Sequence, residues 1–464
     1  MNTETQSIRA RLDSWFEITK RKTNIRTEVL AGISTYLSLA YIFIVNPAIL
    51  AKADMPISGV FFATVIASGL ATVAMGIWAR LPFALAPGLE MNGFVAFVVV
   101  GALHLTWQQA LGAVFWSGVL CTVLSFMKVR DRIVKSVPDA LKSNLAVSVG
   151  VFVMTIGLFL VKAVAFKDGK LDSFSFSWSP EVAALFIGFA ICFLLDWSWL
   201  SKKDAEGHLV SRFPAGSLIP GSFLIAIICT AIFCRFKGIK VDDAPTSSGF
   251  LDAAFKLEFF VILLNPKFWP VFLVLFLIDF YGSIAKFIGL TEATNLKSPE
   301  KGVTNIAQAM QVDGIATSAG ALVGTTSIIT YVESAVGIAA GGRTGIVAIV
   351  CGILMLASVF ATGLIGLVPV VATSGILLYV GWLLLPRNAW QAGLYKGFDI
   401  VVGLLMGAIS FFTFSLDKAM VVGFGLYAVK NVIETRRIHQ NPDWFLVGSF
   451  VLLLVSVVMQ YALK

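Results

Sequence analysis

Apolar runs long enough to cross a bilayer recur along the whole chain. They fall near 29–50, 57–79, 83–101, 107–127, 143–163, 181–200, 215–235, 268–290, 303–323, 324–342, 346–367, 369–386, 398–415 and 443–462. A helix of about twenty apolar residues matches the hydrocarbon core, where every backbone polar group must find an internal partner. With 58% hydrophobic and 13% charged residues among 464, and 38 Phe, no water-soluble fold can hide the apolar surface. The expected class is an all-α polytopic membrane protein. The stretch 416–433 is also apolar and fits three arrangements: an extension of the thirteenth span, a separate short helix, or the start of the fourteenth.

Charge orients these spans. The first 28 residues are polar and amphipathic, without the pattern of a cleavable signal peptide, and carry Arg9, Arg11, Lys20, Arg21, Lys22 and Arg26. Basic clusters recur at Lys128–Lys135, Ser201–Lys203 and Lys297–Lys301, all in loops on the same side as the N-terminus. The loop 236–266 on the other side carries Asp242, Asp243, Asp252 and Glu258 beside three Lys. This bias predicts a cytoplasmic N-terminus in a multi-pass protein of the cell (inner) membrane. It also accounts for the net charge of +8 without a nucleic-acid partner. The five Cys lie in or beside apolar spans without metal-ligand spacing and read as packing residues; three scattered His form no metal set.

Two segments break the pattern. Residues 320–345 place β-branched and hydroxyl residues from Thr325 to Thr330 ahead of small residues suited to a short, tightly packed helix, with Glu333 in its first turn. An ionised carboxylate at mid-bilayer costs roughly 2.5–3.5 kcal/mol on lenient scales, so it is expected to face a cavity, a partner or a substrate. Residues 82–96 echo this design: Pro87 and Gly88 interrupt the third span, and Glu90 and Asn92 open the apolar run that follows. One broken segment in each half is the pattern of an inverted-repeat transporter site. Half-helix N-termini there favour substrate acceptors or carboxylates.

The eighth span adds a polar stripe. Asp279, Gly282, Ser283 and Lys286 share one helix face. Asp279 and Lys286 either pair directly or both face the cavity; Lys286 is also placed to pair with Glu90. Asp196, beside Trp197 and Trp199, reads as an interfacial anchor; Arg343 as a cap of the tenth half-helix or a headgroup contact; Asn46-Pro47 as the end of the first span. No Gly-x-Ser-x-Gly elbow, His-Glu-x-x-His or paired Cys cluster points to an enzyme.

Glu28–Leu50, Leu85–Asn92, Thr330–Ser334 and Gly341–Gly345 resemble the nucleobase–cation symporter 2 family of the nucleobase/ascorbate transporter superfamily, in its guanine/hypoxanthine/adenine permease branch. The resemblance implies a uracil-permease-like fold: fourteen spans as a 7+7 inverted repeat, divided into core and gate, with short strands in the third and tenth spans. The implied division is an N-terminal segment (1–28), core (29–135 and 268–367), gate (136–240 and 368–464) and an extracytoplasmic loop (241–267). It further implies a homodimer, and an elevator-like movement that carries substrate between the strands and the eighth span.

The expected substrate is a purine nucleobase, taken up with protons and without a cofactor or resident metal. Glu333 is expected to accept from ring N–H groups, with Asn92 and Thr330 completing the edge and Phe94, Phe280 or Tyr281 covering a face. Asp279 and Gly282 complete the expected substrate set; Glu333, Glu90, Asp279 and Lys286 form the expected coupling set. Three positions depart from the family's pattern. Gly282 stands where an acid is usual, Lys286 where a small or hydroxyl residue is usual, and Glu90 where Gly is usual. These departures leave open an anionic or differently substituted solute on the same fold.

Overall fold

Asn24 opens the first helix. Its backbone is extended, and its side chain accepts from Thr27 N–H at 2.9 Å, capping α1 (Ile25–Leu39). The computed structural model describes residues 11, 13–127, 137–167, 170–175, 177–195, 202–203, 209–210, 221–239, 249, 251–260, 268–293, 297–298, 302–303, 305–385, 397–437 and 443–462. The interfacial expectation for Asp196, Trp197 and Trp199 and the basic run 128–135 lie outside the described residues. Asn46 and Pro47, expected to end the first span, instead lie inside α2 (Ile42–Leu50). Pro47, lacking an N–H, removes only the bond to the carbonyl of Phe43, four residues back, and does not end the helix. The chain breaks at Ala40–Tyr41, where Phe43 N–H reaches Ala40 O at 3.3 Å and Ile44 N–H reaches Tyr41 O at 3.1 Å.

The remaining first-half elements are α3 (Ile57–Ala74), β1 (Leu85–Pro87), α4 (Leu89–Gly93), α5 (Trp107–Phe126), α6 (Asp139–Leu160), the hairpin β2 (Val164–Lys167) and β3 (Lys170–Phe174), α7 (Pro180–Leu195) and α8 (Ser222–Phe236). Wider π-type turns extend α3 through Met75–Ala79 and α4 through Phe94–Val100. The second half has α9 (Phe268–Ala293), α10 (Ile306–Val323), β4 (Ile328–Thr330), α11 (Ser334–Ala339), α12 (Gly345–Ala357), α13 (Ser374–Leu383), α14 (Gly397–Thr413), α15 (Leu416–Arg437) and α16 (Trp444–Ala462). Of the three arrangements left open for 416–433, the separate helix is the one found. α15 follows α14 after a turn at Phe414, whose φ is +46°.

Packing sorts the helices into two groups. α3 and α12, α1 and α12, and α5 and α10 pack together around the two strands. In the second group, α6 packs on α13 and α14, α7 on α8 and α13, and α15 on α14 and α16. The groups meet where α9 touches α16 and where α1 touches α8. Leu70, Trp78, Phe126, Phe236, Leu404 and Val458 are exposed on the outside, as a surface solvated by acyl chains requires.

The N-terminal segment docks on the first group. Arg80 lies over the Trp15 ring at 4.1 Å, and Arg21 Nη1 donates to Arg343 O at 2.8 Å. Buried Glu28 accepts from Arg343 N–H (2.8 Å), Thr344 N–H (3.1 Å) and the Thr344 hydroxyl (2.7 Å), fixing the start of α12. Arg343 Nη1 donates to Ile338 O at 2.5 Å and so caps α11, one of the two roles expected for it.

Candidate functional site

The site is built on the two broken segments. β1 and β4 pair antiparallel, Leu85 opposite Thr330, Ala86 opposite Ile329 and Pro87 opposite Ile328. Gly88 N–H donates to Ser327 O and Tyr331 N–H to Ala84 O, each at 2.9 Å, so the ladder extends beyond both strands. Irregular backbone at membrane depth is thereby satisfied within the protein. Gly324, at φ +101°, ends α10 and lets the chain turn into β4. A Cβ at Gly88 would lie 2.6 Å from Ile329 Cδ1, so the bare backbone of Gly88 leaves room for the Ile329 side chain. Because the strands run antiparallel, α4 and α11 leave from opposite ends of the ladder.

Glu333 is the residue just before α11 and is 5% exposed. The Tyr41 hydroxyl donates to Glu333 Oε1 at 2.7 Å. Glu333 Oε2 and Thr330 Oγ1 are buried with no hydrogen-bond partner among the described residues. An unpaired buried polar atom costs about 1–3 kcal/mol and calls for an explanation. Tyr41 also meets Phe223 of α8 edge-on at 5.9 Å, and Phe223 meets Tyr379 of α13 at 6.2 Å. Glu333 therefore lies one hydrogen bond from the boundary between the two helix groups.

The polar stripe of α9 divides among four partners. Lys286 Nζ binds Glu90 Oε1 at 2.6 Å, with side-chain exposures of 13% and 5%; Asp279 is not its partner. Lys286 Nζ also lies 6.0 Å from the centre of the Tyr331 ring, whose hydroxyl donates to Pro87 O at 2.5 Å. Asp279 accepts from Ser327 Oγ at 2.5 Å and from Cys121 Sγ at 3.6 Å. Ser283 donates to Asp313 of α10 at 2.5 Å, and Asp313 also accepts from Thr330 N–H at 3.2 Å. Both aspartates thus hold the strand that carries Thr330.

Asn92 is drawn into a separate network. It donates to Asn46 and accepts from Thr326, and Asn46 donates to Thr64 at 2.6 Å and Thr325 at 3.0 Å. These bonds tie α2, α3 and α4 to the chain entering β4. Tyr281, expected on the substrate face, has its hydroxyl bonded to Ser449 of α16 at 2.6 Å and its ring 4.9 Å from Phe424 of α15. Phe280 packs between Phe276 (5.5 Å) and Tyr281 (5.6 Å), and Phe94 is 1% exposed at the start of its π-type turn. Glu333, Thr330, Glu90, Lys286, Gly282 and Asp279 are the expected residues that gather around the strands. A wide apolar groove lined by Ile66, Leu70, Phe126 and Ile315 shares no residue with them. Among the described residues no group of three or more His, Cys, Asp or Glu is placed to hold a metal ion.

Reading the sequence missed Tyr41, Tyr331, Asn46 and Asp313. Asp313 carried a usable signal, because it is a carboxylate inside an apolar run, the reasoning that singled out Glu333. Tyr41 carried none, since its role depends on a partner 292 positions away.

Two half-helices abutting through short strands at the middle of a helical membrane protein, with buried polar atoms left unpaired, define a membrane transporter. Solved structures share the fold. The transmembrane domain of a cyanobacterium bicarbonate transporter, BicA, matches with TM-score 0.62 at 14% identity, covering 86% of this chain and 97% of that one. The murine solute carrier 26 family member A9 anion transporter, in its inward-facing state, matches with TM-score 0.61 at 12% identity, covering 92% and 72%. The chain belongs to the xanthine/uracil permease family, a permease family whose profile matches residues 26–386. Among its relatives, adenine permease AdeQ of Escherichia coli (strain K12) is 32% identical over 436 residues, 92% of this chain and 91% of that one. Guanine/hypoxanthine permease PbuO of Bacillus subtilis (strain 168) is 30% identical over 460 residues, 95% of this chain and all of that one. The family and these relatives are permeases, so the chain is a transporter rather than an enzyme.

Proposed function

We propose that the protein is a secondary active transporter that takes up a purine nucleobase (hypoxanthine, guanine or adenine) together with protons. The observation that carries this reading is the pair of unpartnered buried atoms, Glu333 Oε2 and Thr330 Oγ1, at the meeting point of the broken segments. A carboxylate oxygen needs a donor and a hydroxyl can take either role. The edge of a purine, with ring N–H groups beside ring nitrogens or exocyclic groups, complements that pair. Relatives named as adenine and guanine/hypoxanthine permeases support the substrate class.

An anionic substrate is disfavoured, although the fold neighbours carry anions by name. The extra cation, Lys286, is already neutralised by Glu90 at 2.6 Å, so it adds no free positive charge beside the strands. In this reading Glu333 accepts from the base and carries the coupling proton, Thr330 contacts the edge, and Asp279 holds the strand through Ser327. Asn92 positions the strands through Asn46 and Thr326, and Phe94 and Phe280 pack behind the cleft. Tyr281 links core to gate.

The two helix groups are then core (29–135 and 268–367) and gate (136–240 and 368–464) of a 7+7 inverted repeat of fourteen spans. Residues 1–28 form a cytoplasmic segment and 241–267 an extracytoplasmic loop. The core slides past the gate as an elevator in a homodimer seated in the lipid of the cell membrane, where no cofactor takes part. The test is uptake of radiolabelled hypoxanthine, guanine and adenine by cells expressing the protein, with melting of the purified protein measured across the same bases. A ligand that binds only the native state must raise the melting point. No base accumulating above the empty-vector level, and none raising the melting point, sinks the reading.

A further inference from the structure

Glycines inside the helices here mostly mark places where two chains touch. A Cβ at Gly93 would lie 2.6 Å from the Phe152 ring, one at Gly314 2.6 Å from Thr122 Oγ1, and one at Gly352 2.6 Å from Gly69 O. Gly282, in the middle of α9, is different. Among the described residues a Cβ there would meet a single neighbour within 4 Å, Glu90 Oε1 at 3.8 Å. Glycine in a helix interior costs up to about 1 kcal/mol relative to alanine, and no close approach explains it at this position.

Lys286 lies one turn after Gly282 on the same face and holds that same oxygen of Glu90 at 2.6 Å. A side chain on residue 282 and the carboxylate of Glu90 would therefore compete for one space. That space opens beside the strands, next to the face of Tyr331.

We propose that Glu90, Lys286 and Gly282 form one specificity-determining unit of the transport site. Glu90 delivers a carboxylate from α4 into a slot that α9 leaves open, and Lys286 keeps that carboxylate in place. The wall so made is zwitterionic. It offers one acceptor and several donors without net charge, which selects a neutral heterocycle with alternating donor and acceptor atoms over either a cation or an anion. A carboxylate supplied from position 282 would reach the same lysine and the same slot, so positions 90 and 282 are exchangeable as a pair. This rests on the nucleobase-transport reading above.

The experiment is a swap cycle in the full-length protein: Glu90→Gly, Gly282→Glu and both together. Purine uptake is normalised to monodisperse, folded transporter. Glu90→Gly strands a buried lysine, and Gly282→Glu crowds two carboxylates. Each single change is expected to lower kcat/KM for the transported base by about tenfold or more. The double variant is expected to recover most of that loss. A double variant no better than the worse single overturns the proposal while wild-type uptake stands; absence of wild-type uptake is instead the failure of the reading it rests on.

Should the double variant not fold, Gly282→Ala decides, because a contact of 3.8 Å is ordinary and the fold tolerates it. The added methyl narrows the slot, and KM is expected to rise by about threefold or more with kcat little changed. An unchanged KM overturns the proposal.

Discussion

Glu333→Gln is the substitution that bears most directly on the transport site. The two side chains have the same shape, so the Tyr41 hydroxyl, 2.7 Å from Oε1, keeps an acceptor. What changes is the second oxygen. The buried, unpartnered Oε2 becomes either an amide nitrogen facing the donor edge of the base or, after a flip, a neutral and weaker acceptor. On the proposed reading the base meets the ionised carboxylate before the coupling proton binds, and a hydrogen bond to a charged group is worth roughly 1.5–3 kcal/mol, or about 10- to 150-fold in affinity. The expected result is a KM for the transported base raised by about that factor, with protein level and melting temperature near wild type. Tyr41→Phe supplies the internal control. It removes one donor to Oε1 and loosens the carboxylate, which is expected to cost about 1 kcal/mol, a fivefold effect. In the Glu333→Gln background its effect should shrink, because the neutral amide accepts more weakly. Assay is by initial-rate uptake of the labelled base over a range of concentrations. A KM for Glu333→Gln within about twofold of wild type, less than one charged hydrogen bond, would refute the reasoning.

Three other substitutions probe the surroundings. Lys286→Met leaves Glu90, 5% exposed, as a buried charge without its partner, and a loss of roughly 3–5 kcal/mol is expected on melting. Adding Glu90→Gln should return part of that stability, and no recovery would mean that the pair is not what Lys286 contributes. Glu28→Ala removes the acceptor for Arg343 N–H, Thr344 N–H and the Thr344 hydroxyl, and is expected to cost about 1–3 kcal/mol. Hydrogen exchange should quicken first at residues 343–346, and uniform protection there would contradict the capping role. Tyr281→Phe breaks the 2.6 Å bond to Ser449 across the two helix groups. On the elevator reading it is expected to change kcat and leave KM in place, whereas a rise in KM alone would put Tyr281 back on the substrate.

Much of the architecture was readable because membrane depth restricts what a residue can mean. Length and apolarity mark the apolar runs, and Pro87-Gly88 and the hydroxyl-rich 325–330 mark the two interruptions; that each interruption holds a strand follows only from the family resemblance. Glu333 was found because a carboxylate there has few harmless explanations. The pairings were only partly readable. Glu90 was one of two carboxylates, with Asp279, expected as partners of Lys286, and the fold selects it across 196 positions; Tyr41 and Glu333 are 292 apart, and nothing local to either names the other. The stripe on α9 looked like one functional face, yet each side chain on it answers to a different element brought close by the fold. Asn46-Pro47 misled for a related reason. Pro47 is accommodated inside α2, and the break comes instead at Ala40–Tyr41, where no proline or glycine marks it. The separate helix at 416–437 depended on a left-handed turn at Phe414, a conformation that a phenylalanine does not advertise.

The charges around the strands bring these pieces to one mechanical point. Glu90 and Lys286 cancel within their own contact, while Glu333 is held by the neutral hydroxyl of Tyr41 and forms no salt bridge among the described residues. If the core carries this site past the gate, an ionised Glu333 would travel as uncompensated charge through a low-dielectric barrier, which is costly. Binding one proton there removes the charge, and a carboxyl group is then both donor and acceptor toward a neutral base. On the proposed reading the proton and the base therefore load the same residue, and the step that moves the core is favoured when both are present. Glu333→Gln mimics the protonated form. It should leave exchange of base across the membrane possible while abolishing accumulation against a gradient, a separation that counterflow and net-uptake assays on one preparation can resolve. Retained proton-driven accumulation in that variant would place the coupling group elsewhere, and Asp279 and Asp313, which hold the strand of Thr330, would be the next carboxylates to test.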